Sequence, residues 1–311
     1  MAKENKVLVT GGSGFIGTQL KRIKPDWVYI SSKDYDLTSV VEAKKLFQDY
    51  PNLDAVIHLA GIVGGIKKNA EQQAEFFYKN VLMNTNIVHE AYLAGVPRLL
   101  ASLSTCAFPD IVKNYPFKEE DIFSGPPAPT NFSYGYSKRM LYVQIKSYRK
   151  QYGVNYSCFC PSNIYGPGDN YVPETSHFVP SLILKTSQSR KKLELWGTGK
   201  PLRQQLYVED VCKIIPILLE KHNTDIPLIV SPDENLSVDN MAHILLKSIN
   251  KNLKIVYNEQ LDGQFRKDGD NTRLKSLIGD FKFTPFSDGV FRTYMWFVAR
   301  KLIEVQGVLH F

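Results

Sequence analysis

The stretch Val7–Gly17, "VLVTGGSGFIG", decides the fold class, because it joins a short apolar run to a glycine-rich turn. The residues after the turn, "GFIGTQLKRI", are predicted to begin a helix. Glycine is needed where a turn requires a positive φ or where another group approaches the backbone closely. A strand, such a turn and a helix N-terminus together bind a pyrophosphate through backbone N–H groups. Gly11, Gly14 and Gly17 therefore predict a dinucleotide-binding βα unit.

Short apolar runs alternate with longer amphipathic segments through the first half of the chain. Further strands are predicted at "WVYISS", "DAVIHLAG", "RLLASLS" and "NYSCFCPSNIYG", with helices between them. This alternation predicts an α/β fold with a Rossmann-type doubly wound parallel sheet. Beyond this half, a loop rich in Pro, Gly and Asp leads into mixed helices and short strands, including "PLIVS". We therefore predict a dinucleotide-binding domain over residues 1–165, to which about 204–222 returns, and a smaller C-terminal α/β substrate domain over residues 166–311.

The composition excludes several classes of protein. Of the 311 residues 43% are apolar, which is enough for a sizeable core and argues against disorder. No apolar run approaches the roughly 20 residues that span a membrane, and the start "MAKENKVLVTGG" does not fit a signal peptide, so we expect a cytoplasmic protein. The four cysteines, at positions 106, 158, 160 and 212, are too few for a disulfide scaffold and lack the spacing of metal ligands. Reduced thiols and no metal site are therefore expected.

The basic character of the chain bears on its ligand. The net charge of +7 is spread along the sequence, whereas a nucleic-acid binder concentrates basic residues on one element. A solvated basic surface with an acidic small-molecule ligand, such as a nucleotide, is therefore favoured over nucleic acid.

The end of the second predicted strand indicates which dinucleotide is bound. An NAD site usually has Asp or Glu there, on the ribose 2′-hydroxyl. Here the strand ends "YISSKDYDL", which offers Ser31, Ser32 and Lys33. Hydroxyls and a cation suit a 2′-phosphate, so NADP is predicted, with Asp36 near the adenine. The alternative is that Lys33 is an ordinary exposed loop lysine.

Two stretches place reactive side chains at predicted element ends. The strand "RLLASLS" runs into Ser104, Thr105 and Cys106, at the sheet edge where α/β proteins keep their chemistry. In "SYGYSKRM", Tyr134 precedes Lys138 by four residues at the start of a helix, so both lie on one face. A lysine ammonium near a phenol favours the phenolate, and Tyr134 could then act as acid or base. Alternatively, Cys106 is a small buried side chain without reactivity, and the Tyr–Lys spacing is coincidental.

The glycine turn, "HLAGIVGG", Ser104 and the Tyr134–Lys138 pair together resemble the extended short-chain dehydrogenase/reductase family. The resemblance implies an oxidoreductase in which Ser104 and Tyr134 hydrogen-bond the substrate oxygen, while Lys138 holds the nicotinamide ribose and tunes the tyrosine. Further motifs are similar to the branch of that family that makes GDP-L-fucose from GDP-4-keto-6-deoxy-D-mannose by NADPH-dependent 3,5-epimerisation and 4-reduction. They are "LSTCAFP", "PSNIYGPGDN", "HFVPSLI", "WGTGKPLRQQLYVEDV" and "LDGQFRKD". Many members of this branch have Ser where this chain has Thr105, which keeps a hydroxyl.

The resemblance also implies site residues. Cys106 and His177 would be the acid/base pair of the epimerisation, since a C4 ketone acidifies the C3 and C5 protons and a thiol and an imidazole can move them. The implied cofactor-binding residues are Gly11, Gly14, Phe15, Ile16, Gly17, Ser32, Lys33, Asp36, Leu37, Leu59, Ala60, Lys138, Pro161, Asn163 and His177. The implied substrate-binding residues are Ser104, Thr105, Asn163, Lys185, Trp196, Arg203 and Lys267, which would make the C-terminal domain a GDP-sugar-binding domain.

Two other functions and the oligomeric state stay open at this point. The chain could epimerise or reduce a related GDP-4-keto-deoxy or heptose sugar. It could also be a non-catalytic NADP-binding regulator, although such a protein is expected to lack part of the Ser–Tyr–Lys set. The helix "AEFFYKNVLMNTNIVHEAYL" has an apolar face, and in this family such helices pair two subunits, so a homodimer is expected. Simple packing of this face against the sheet is the alternative. His58 and His89 are interpreted as structural.

Overall fold

The computed structural model describes residues 6–64, 71–258, 262 and 264–305. Its strands are β1 (Val7–Thr10), β2 (Val28–Ile30), β3 (Ala55–His58), β4 (Arg98–Ser102), β5 (Asn155–Pro161), β6 (Asn163–Tyr165), β7 (Lys192–Leu195), β8 (Leu202–Tyr207), β9 (Leu228–Val230), β10 (Asn235–Ser237), β11 (Lys254–Tyr257) and β12 (Arg266–Lys267). Its α-helices are α1 (Phe15–Ile23), α2 (Val40–Asp49), α3 (Gln73–Leu93), α4 (Phe132–Tyr152), α5 (Phe178–Gln188), α6 (Val208–Lys221), α7 (Val238–Ser248), α8 (Thr272–Ile278) and α9 (Phe286–Val305). Short 3-10 helices cover Thr105–Ala107, Glu119–Phe123 and Pro129–Asn131.

A six-stranded parallel sheet in the order β2-β1-β3-β4-β5-β9 forms the main lobe. The chain passes from β1 to β2 on one side and then crosses to β3 on the other side of β1. This reversal is the switch point of a doubly wound sheet, and ligands of such sheets bind at the carboxyl ends of the strands beside it. The predicted Rossmann-type fold is confirmed.

Strand β4 shows why these short runs form inner strands of the sheet. Leu99 and Ala101 belong to a core shared with α2, α3 and α4, whereas Leu100, between them, belongs to a core shared with α1, α6 and α8. Successive side chains of a strand point to opposite faces, and both faces of a parallel sheet are covered by helices. A continuous apolar run is therefore what this position requires.

The second lobe is built from smaller sheets and separate helices. Strand β8 pairs with β6, β10 and β12, and β7 pairs with β11. Tyr165, Tyr207 and Phe286 lie in its core with residues of α5, α7 and α9. The segment "NYSCFCPSNIYG", predicted as one strand, is divided between the lobes: β5 ends at Pro161 in the main sheet, and β6 pairs with β8. Pro161 has no N–H with which to continue the ladder.

Later segments of the chain also return to the main lobe. Within 204–222, helix α6 contributes Val211, Ile215 and Leu218 to the core beneath α1, and strand β8 pairs in the second lobe. Strand β9, which we assigned to the C-terminal domain, is the edge strand of the main sheet. Its Ile229 N–H donates to Glu119 Oε1 at 3.2 Å, so a side chain caps part of this edge. The domain boundary at residue 165 stays a prediction, because the main sheet contains strands from before and after that residue.

Neither a membrane-spanning helix nor a metal cluster is found in the part of the chain that the structure describes. None of its helices combines the length and the apolar character that crossing a bilayer requires. No group of three His, Cys, Asp or Glu side chains within the described ranges is arranged to hold a metal ion.

Candidate active site

The glycine turn lies at the switch point of the main sheet. Gly11 has a φ of +73°, and a Cβ on it would lie 2.8 Å from the backbone nitrogen of Ala60, in the loop after β3. A Cβ on Gly17 would lie 2.3 Å from the carbonyl oxygen of Gly11. Helix α1 begins at Phe15 with Gly14 as its N-cap, and its first turn contains no acidic residue. Its N–H groups are therefore free of a capping side chain and fit a dinucleotide pyrophosphate.

The tip of β2 presents hydroxyls and a cation. Ser32 and Lys33 are exposed there. The carboxylate of Asp34 accepts hydrogen bonds from Ser31 Oγ and Ser31 N, both at 2.8 Å, and these bonds lower its pKa. Because that carboxylate is engaged within its own turn, Ser32 and Lys33 are the groups that face outward. This arrangement fits a 2′-phosphate.

The other predicted cofactor contacts beside the turn differ in exposure. Asp36 is exposed, and its Oδ1 accepts from Thr38 N at 2.9 Å and from Thr38 Oγ1 at 2.7 Å. Leu37 is buried in the main core, while Leu59 and Ala60 are half-buried at the carboxyl end of β3. Asp36 is thus held by a local turn, and the three apolar residues pack against the cores of the main lobe.

Tyr134 and Lys138 lie on the buried side of α4, one turn apart. Lys138 Nζ lies 5.9 Å from the centroid of the Tyr134 ring and donates to Ser102 O, at the end of β4, at 2.9 Å. Burial lowers the pKa of Lys138 to about 8. Burial and the neighbouring Cys106 raise the pKa of Tyr134, and a hydrogen bond with Ser104 only partly opposes them. The balance for Tyr134 is thus a raised pKa, with burial as its largest cause.

The turn that carries Cys106 is fixed against α4. Ser104 Oγ accepts from Cys106 N at 3.1 Å, and Ala107 O accepts from Arg139 Nε at 2.6 Å. A Cβ on Gly135 would lie only 2.4 Å from Cys106 O, so the helix can approach the turn this closely only at a glycine. Sequence reasoning missed Gly135, although a glycine inside a helical segment signals a close contact of this kind.

Two cations from the second lobe reach the same turn. Strand register places Lys267 of β12 beside Arg203 of β8. Lys267 Nζ donates to Cys106 Sγ at 3.0 Å. Burial alone raises the pKa of the Cys106 thiol, but the charge and hydrogen bond of Lys267, a hydrogen bond with Ser104 and the charge of Arg203 together bring it below the ordinary value.

The remaining polar residues of the predicted site come from the second lobe. His177 is the N-cap of α5 and is exposed; the surrounding protein and the charge of Lys267 lower its pKa. Lys185, on α5, places its Nζ 5.0 Å from the ring centroid of Trp196, whose ring is largely exposed. Asn163 lies half-buried on β6, beside β8. These residues come from elements of the second lobe, and His177 lies in the field of Lys267, which contacts Cys106.

Two of the predicted contact residues, Thr105 and Pro161, are buried. Thr105 opens the 3-10 turn that contains Cys106 and is buried. Pro161 ends β5 beside Val230 of β9. Both help to fix the carboxyl ends of the strands that border the site.

Sequence reasoning also missed Asn80, which shapes the site from α3. Its side chain accepts from Ile62 N and donates to Ile62 O, both at 2.9 Å, and so fixes the loop after β3. In this loop a Cβ on Gly61 would lie 3.5 Å from Lys138 Nζ. A buried asparagine in the middle of an apolar helix was the available signal, since buried amides are kept where they bond backbone groups.

His58 is structural, in agreement with its interpretation from the sequence. It is fully buried, and its ring nitrogens lie 2.8 Å from Thr10 Oγ1 and 3.0 Å from Asn84 Oδ1. Burial and the charge of Lys138 lower its pKa to about 4. A neutral imidazole therefore joins β1, β3 and α3 beneath the site.

The geometry is that of an enzyme that works with a dinucleotide. The chain belongs to the NAD dependent epimerase/dehydratase family, whose model matches residues 7–230. It is 34% identical to a probable GDP-L-fucose synthase of Drosophila melanogaster, over 94% of this chain and 97% of that protein. It is 36% identical to a GDP-L-fucose synthase of Dictyostelium discoideum, over 94% of this chain and 95% of that protein.

A solved structure shares the whole architecture. A GDP-L-fucose synthetase from Naegleria fowleri, bound to NADP, is similar to this chain with a TM-score of 0.89 and 32% sequence identity. The likeness covers 97% of this chain and 95% of that one. The resemblance inferred from the sequence motifs is thereby confirmed, and it extends over both lobes.

Proposed function

We propose that this protein converts GDP-4-keto-6-deoxy-D-mannose into GDP-L-fucose, by epimerisation at C3 and C5 and NADPH-dependent reduction at C4. The observation that carries the proposal is the meeting of Ser104, Cys106 and Tyr134 on one turn and the helix packed against it. A reductase alone needs the hydroxyls, whereas an epimerase also needs a group such as the thiol. Relatives named for this activity match over nearly the whole chain, which supports the same assignment.

The cofactor proposed is NADP(H), and the switch point fits it. The N–H groups at the start of α1 would hold the pyrophosphate, Ser32 and Lys33 the 2′-phosphate, and Lys138 the ribose next to the nicotinamide. When bound, NADPH supplies the hydride for C4. Lys138 is already fixed by its bond to Ser102 O, so it is positioned for this contact in advance.

Epimerisation is assigned to Cys106 and His177. A carbonyl at C4 makes the protons on its neighbouring carbons acidic, and the thiolate of a cysteine with a lowered pKa can accept one of them. The hydroxyls of Ser104 and Tyr134 are placed to stabilise the enolate oxygen as preorganised donors. Cys106 follows a main-sheet strand and His177 begins a helix of the second lobe, so the two proton-carrying groups come from different lobes.

Reduction requires a proton for the oxygen at C4, and Tyr134 is the proposed donor. Its raised pKa keeps the phenol protonated at neutral pH, as a proton donor requires. Its hydrogen bond with Ser104 holds the hydroxyl in the crevice. One pocket can in this way carry out both halves of the reaction.

Recognition of the GDP-sugar is assigned to the second lobe. Arg203 and Lys185 supply positive charge for the diphosphate. Trp196, 66% exposed, offers an aromatic face to the nucleotide. Asn163 and Thr105 complete the proposed substrate contacts, whereas Lys267, which the sequence also predicted as one, donates to Cys106 Sγ.

A homodimer through α3 and α4 is the proposed assembly. The outer face of these helices exposes Phe77, Phe132 and Met140. With Ser133 and Tyr136 they line a depression of about 430 Å³. An exposed apolar patch of this kind is typical of a protein interface.

The four free cysteines, three of them buried, are consistent with the proposed cytoplasmic location.

Product analysis by NMR tests the proposal. The protein is incubated with GDP-4-keto-6-deoxy-D-mannose and NADPH in D2O, and GDP-L-fucose labelled at C3 and C5 is expected. A C4-reduced sugar that keeps its C3 and C5 protons would identify a plain reductase and contradict the proposal. Tight NADP binding without turnover would identify a regulator.

A further inference from the structure

We propose that Lys267 is a positioning residue of the epimerisation, whose ammonium group holds the sulfur of Cys106 as the thiolate that takes a proton from the carbon beside the ketone. The role of the thiolate rests on the proposed function. The thiolate itself can be measured without any sugar.

The contact between the two side chains is direct. Lys267 Nζ lies 3.0 Å from Cys106 Sγ and donates a hydrogen bond to it, across 161 residues of sequence. Both groups are held by rigid elements: Lys267 by its pairing in β12 with β8, and Cys106 by the 3-10 turn pinned to α4. A charge-assisted bond between fixed partners favours the ionised form of the acceptor.

Among the described residues, the groups that act on the sulfur can be named with the direction of their effect. From the second lobe, Lys267 and Arg203 favour the thiolate, and from the turn the Ser104 hydroxyl does the same. From α4, the Tyr134 phenol stays protonated and adds no charge. His177, from α5, lies in the field of Lys267, which disfavours its protonation. Burial acts in the opposite direction, since it raises the pKa of the Cys106 thiol.

A contact with the substrate diphosphate explains Lys267 less well. Lys267 is only 8% exposed, whereas Arg203 and Lys185 are half-buried. The adjacent carboxylate, Asp268, is engaged by Arg266 through bonds of 2.6 and 2.9 Å. The cation that points to the thiol and the cations that suit phosphate are therefore different residues.

The proposed step balances without a further reagent. As the S–H bond forms, the C–H bond beside the ketone breaks, and its electron pair moves into the enolate. The enolate oxygen is stabilised by the Ser104 and Tyr134 hydroxyls, and Lys267 keeps its own protons throughout. His177, the other member of the acid/base pair, gives a proton to the opposite face of the carbon and completes the inversion.

The test measures the rate of alkylation of Cys106 by iodoacetamide as a function of pH, on the whole protein without sugar. Cys106 is a suitable reporter because the other three cysteines are buried, with raised pKa values. Loss of the fast phase in Cys106→Ser would establish the assignment. In the wild type the profile should titrate below the pKa of a free thiol. In Lys267→Met it should move to higher pH, with alkylation at neutral pH slower by about 10-fold or more.

Matched variants separate charge from hydrogen bonding. Lys267→Gln keeps a donor without the charge and should fall between the wild type and Lys267→Met, while Lys267→Arg should restore part of the shift. Lys113→Met removes an exposed lysine on the loop after the Cys106 turn and should leave the profile unchanged. In the enzyme assay Lys267→Met should lower kcat for C3 and C5 deuterium exchange.

The proposal and the proposed function fail in different ways. An unchanged alkylation profile in Lys267→Met, with only KM for the sugar raised, would make Lys267 a substrate contact and overturn the inference. If the Lys267 variants do not fold, a wild-type titration at or above the pKa of a free thiol overturns it equally. Absence of GDP-L-fucose from the product would refute the proposed function and leave the thiol measurement standing.

Discussion

The two lobes contribute to the site in different ways. The main lobe supplies hydroxyls, a thiol and a buried lysine on two tightly packed elements, the turn after β4 and helix α4. The second lobe supplies cations and an imidazole on β8, β12 and α5. Most of the groups proposed to touch reacting atoms are thus fixed in the lobe where the cofactor binds, and His177 joins them from the second lobe. The cations that act on the charge of Cys106 come from the second lobe, so they can be changed without changing the hydroxyls, the thiol or Lys138.

The largest expected effect tests the main lobe alone. Tyr134→Phe removes the proposed proton donor, so the rate of NADPH oxidation with the 4-keto sugar should fall by about 1,000-fold. The change in NADPH absorbance measures it. Tyr136→Phe, which alters a ring packed against Phe132 instead, is the matched control and should reduce the rate little. A Tyr134→Phe variant with normal turnover would remove Tyr134 from the mechanism.

The next effect separates epimerisation from reduction. Cys106→Ser should slow incorporation of deuterium at C3 and C5 by about 100-fold, because a hydroxyl is a far weaker base than a thiolate. Reduction at C4 should persist, giving a sugar that is not epimerised, which NMR detects. Cys158→Ala, a change at a buried core thiol of β5, is the control. Normal exchange in Cys106→Ser would make Cys106 structural.

A smaller effect concerns cofactor choice at the tip of β2. Lys33→Ala should raise KM for NADPH by about 10-fold and leave KM for NADH unchanged, since a single exposed cation on a phosphate is worth roughly 1.4 kcal/mol. Steady-state kinetics with both cofactors measure the change. Lys45→Ala, on the exposed side of α2, is the control. A wild type that prefers NADH would show that Ser32 and Lys33 do not bind a 2′-phosphate.

The smallest expected effect concerns the loop between β6 and α5. Burial raises the pKa of Asp169 from 3.8 to about 7, and its Oδ2 has no hydrogen-bond partner among the described residues. A raised folded-state pKa contributes stability below the unfolded pKa that is lost as pH rises towards 7. Asp169→Asn should therefore be more stable than the wild type above neutral pH by about 1 kcal/mol. Urea unfolding at acidic and alkaline pH measures this difference, and equal slopes with pH would contradict it.

Several features could be predicted from the sequence because their signals are local. The glycine turn, the period of the strands and the spacing of Tyr134 and Lys138 each depend on a few neighbouring residues. Helix α3 is likewise followed by Gly95, with a φ of +67°, a backbone conformation that favours glycine. Each of these features is determined by residues adjacent to it in the sequence.

Other features could not be predicted because they depend on distant partners. A three-residue apolar run such as β9 carries no sign of which sheet it joins, and only its pairing with β5 decides this. The raised pKa of Tyr134 follows from burial, which its i,i+4 spacing with Lys138 does not reveal. The resemblance pointed to Lys267 as a sugar contact, but its bond to Cys106 depends on the meeting of β12 with a turn far away in sequence.

The position of β9 has a consequence for how the protein is made. The main sheet receives its last strand, and α6 its place on the sheet, only from residues after the first elements of the second lobe. A ribosome must therefore have synthesised the chain to about residue 230 before the lobe that holds the dinucleotide can close. A fragment that stops at residue 165 would leave β5 as a bare edge and uncover the apolar core beneath α6. The cofactor-binding lobe of this enzyme is thus not expected to fold as a separate fragment without β9 and α6.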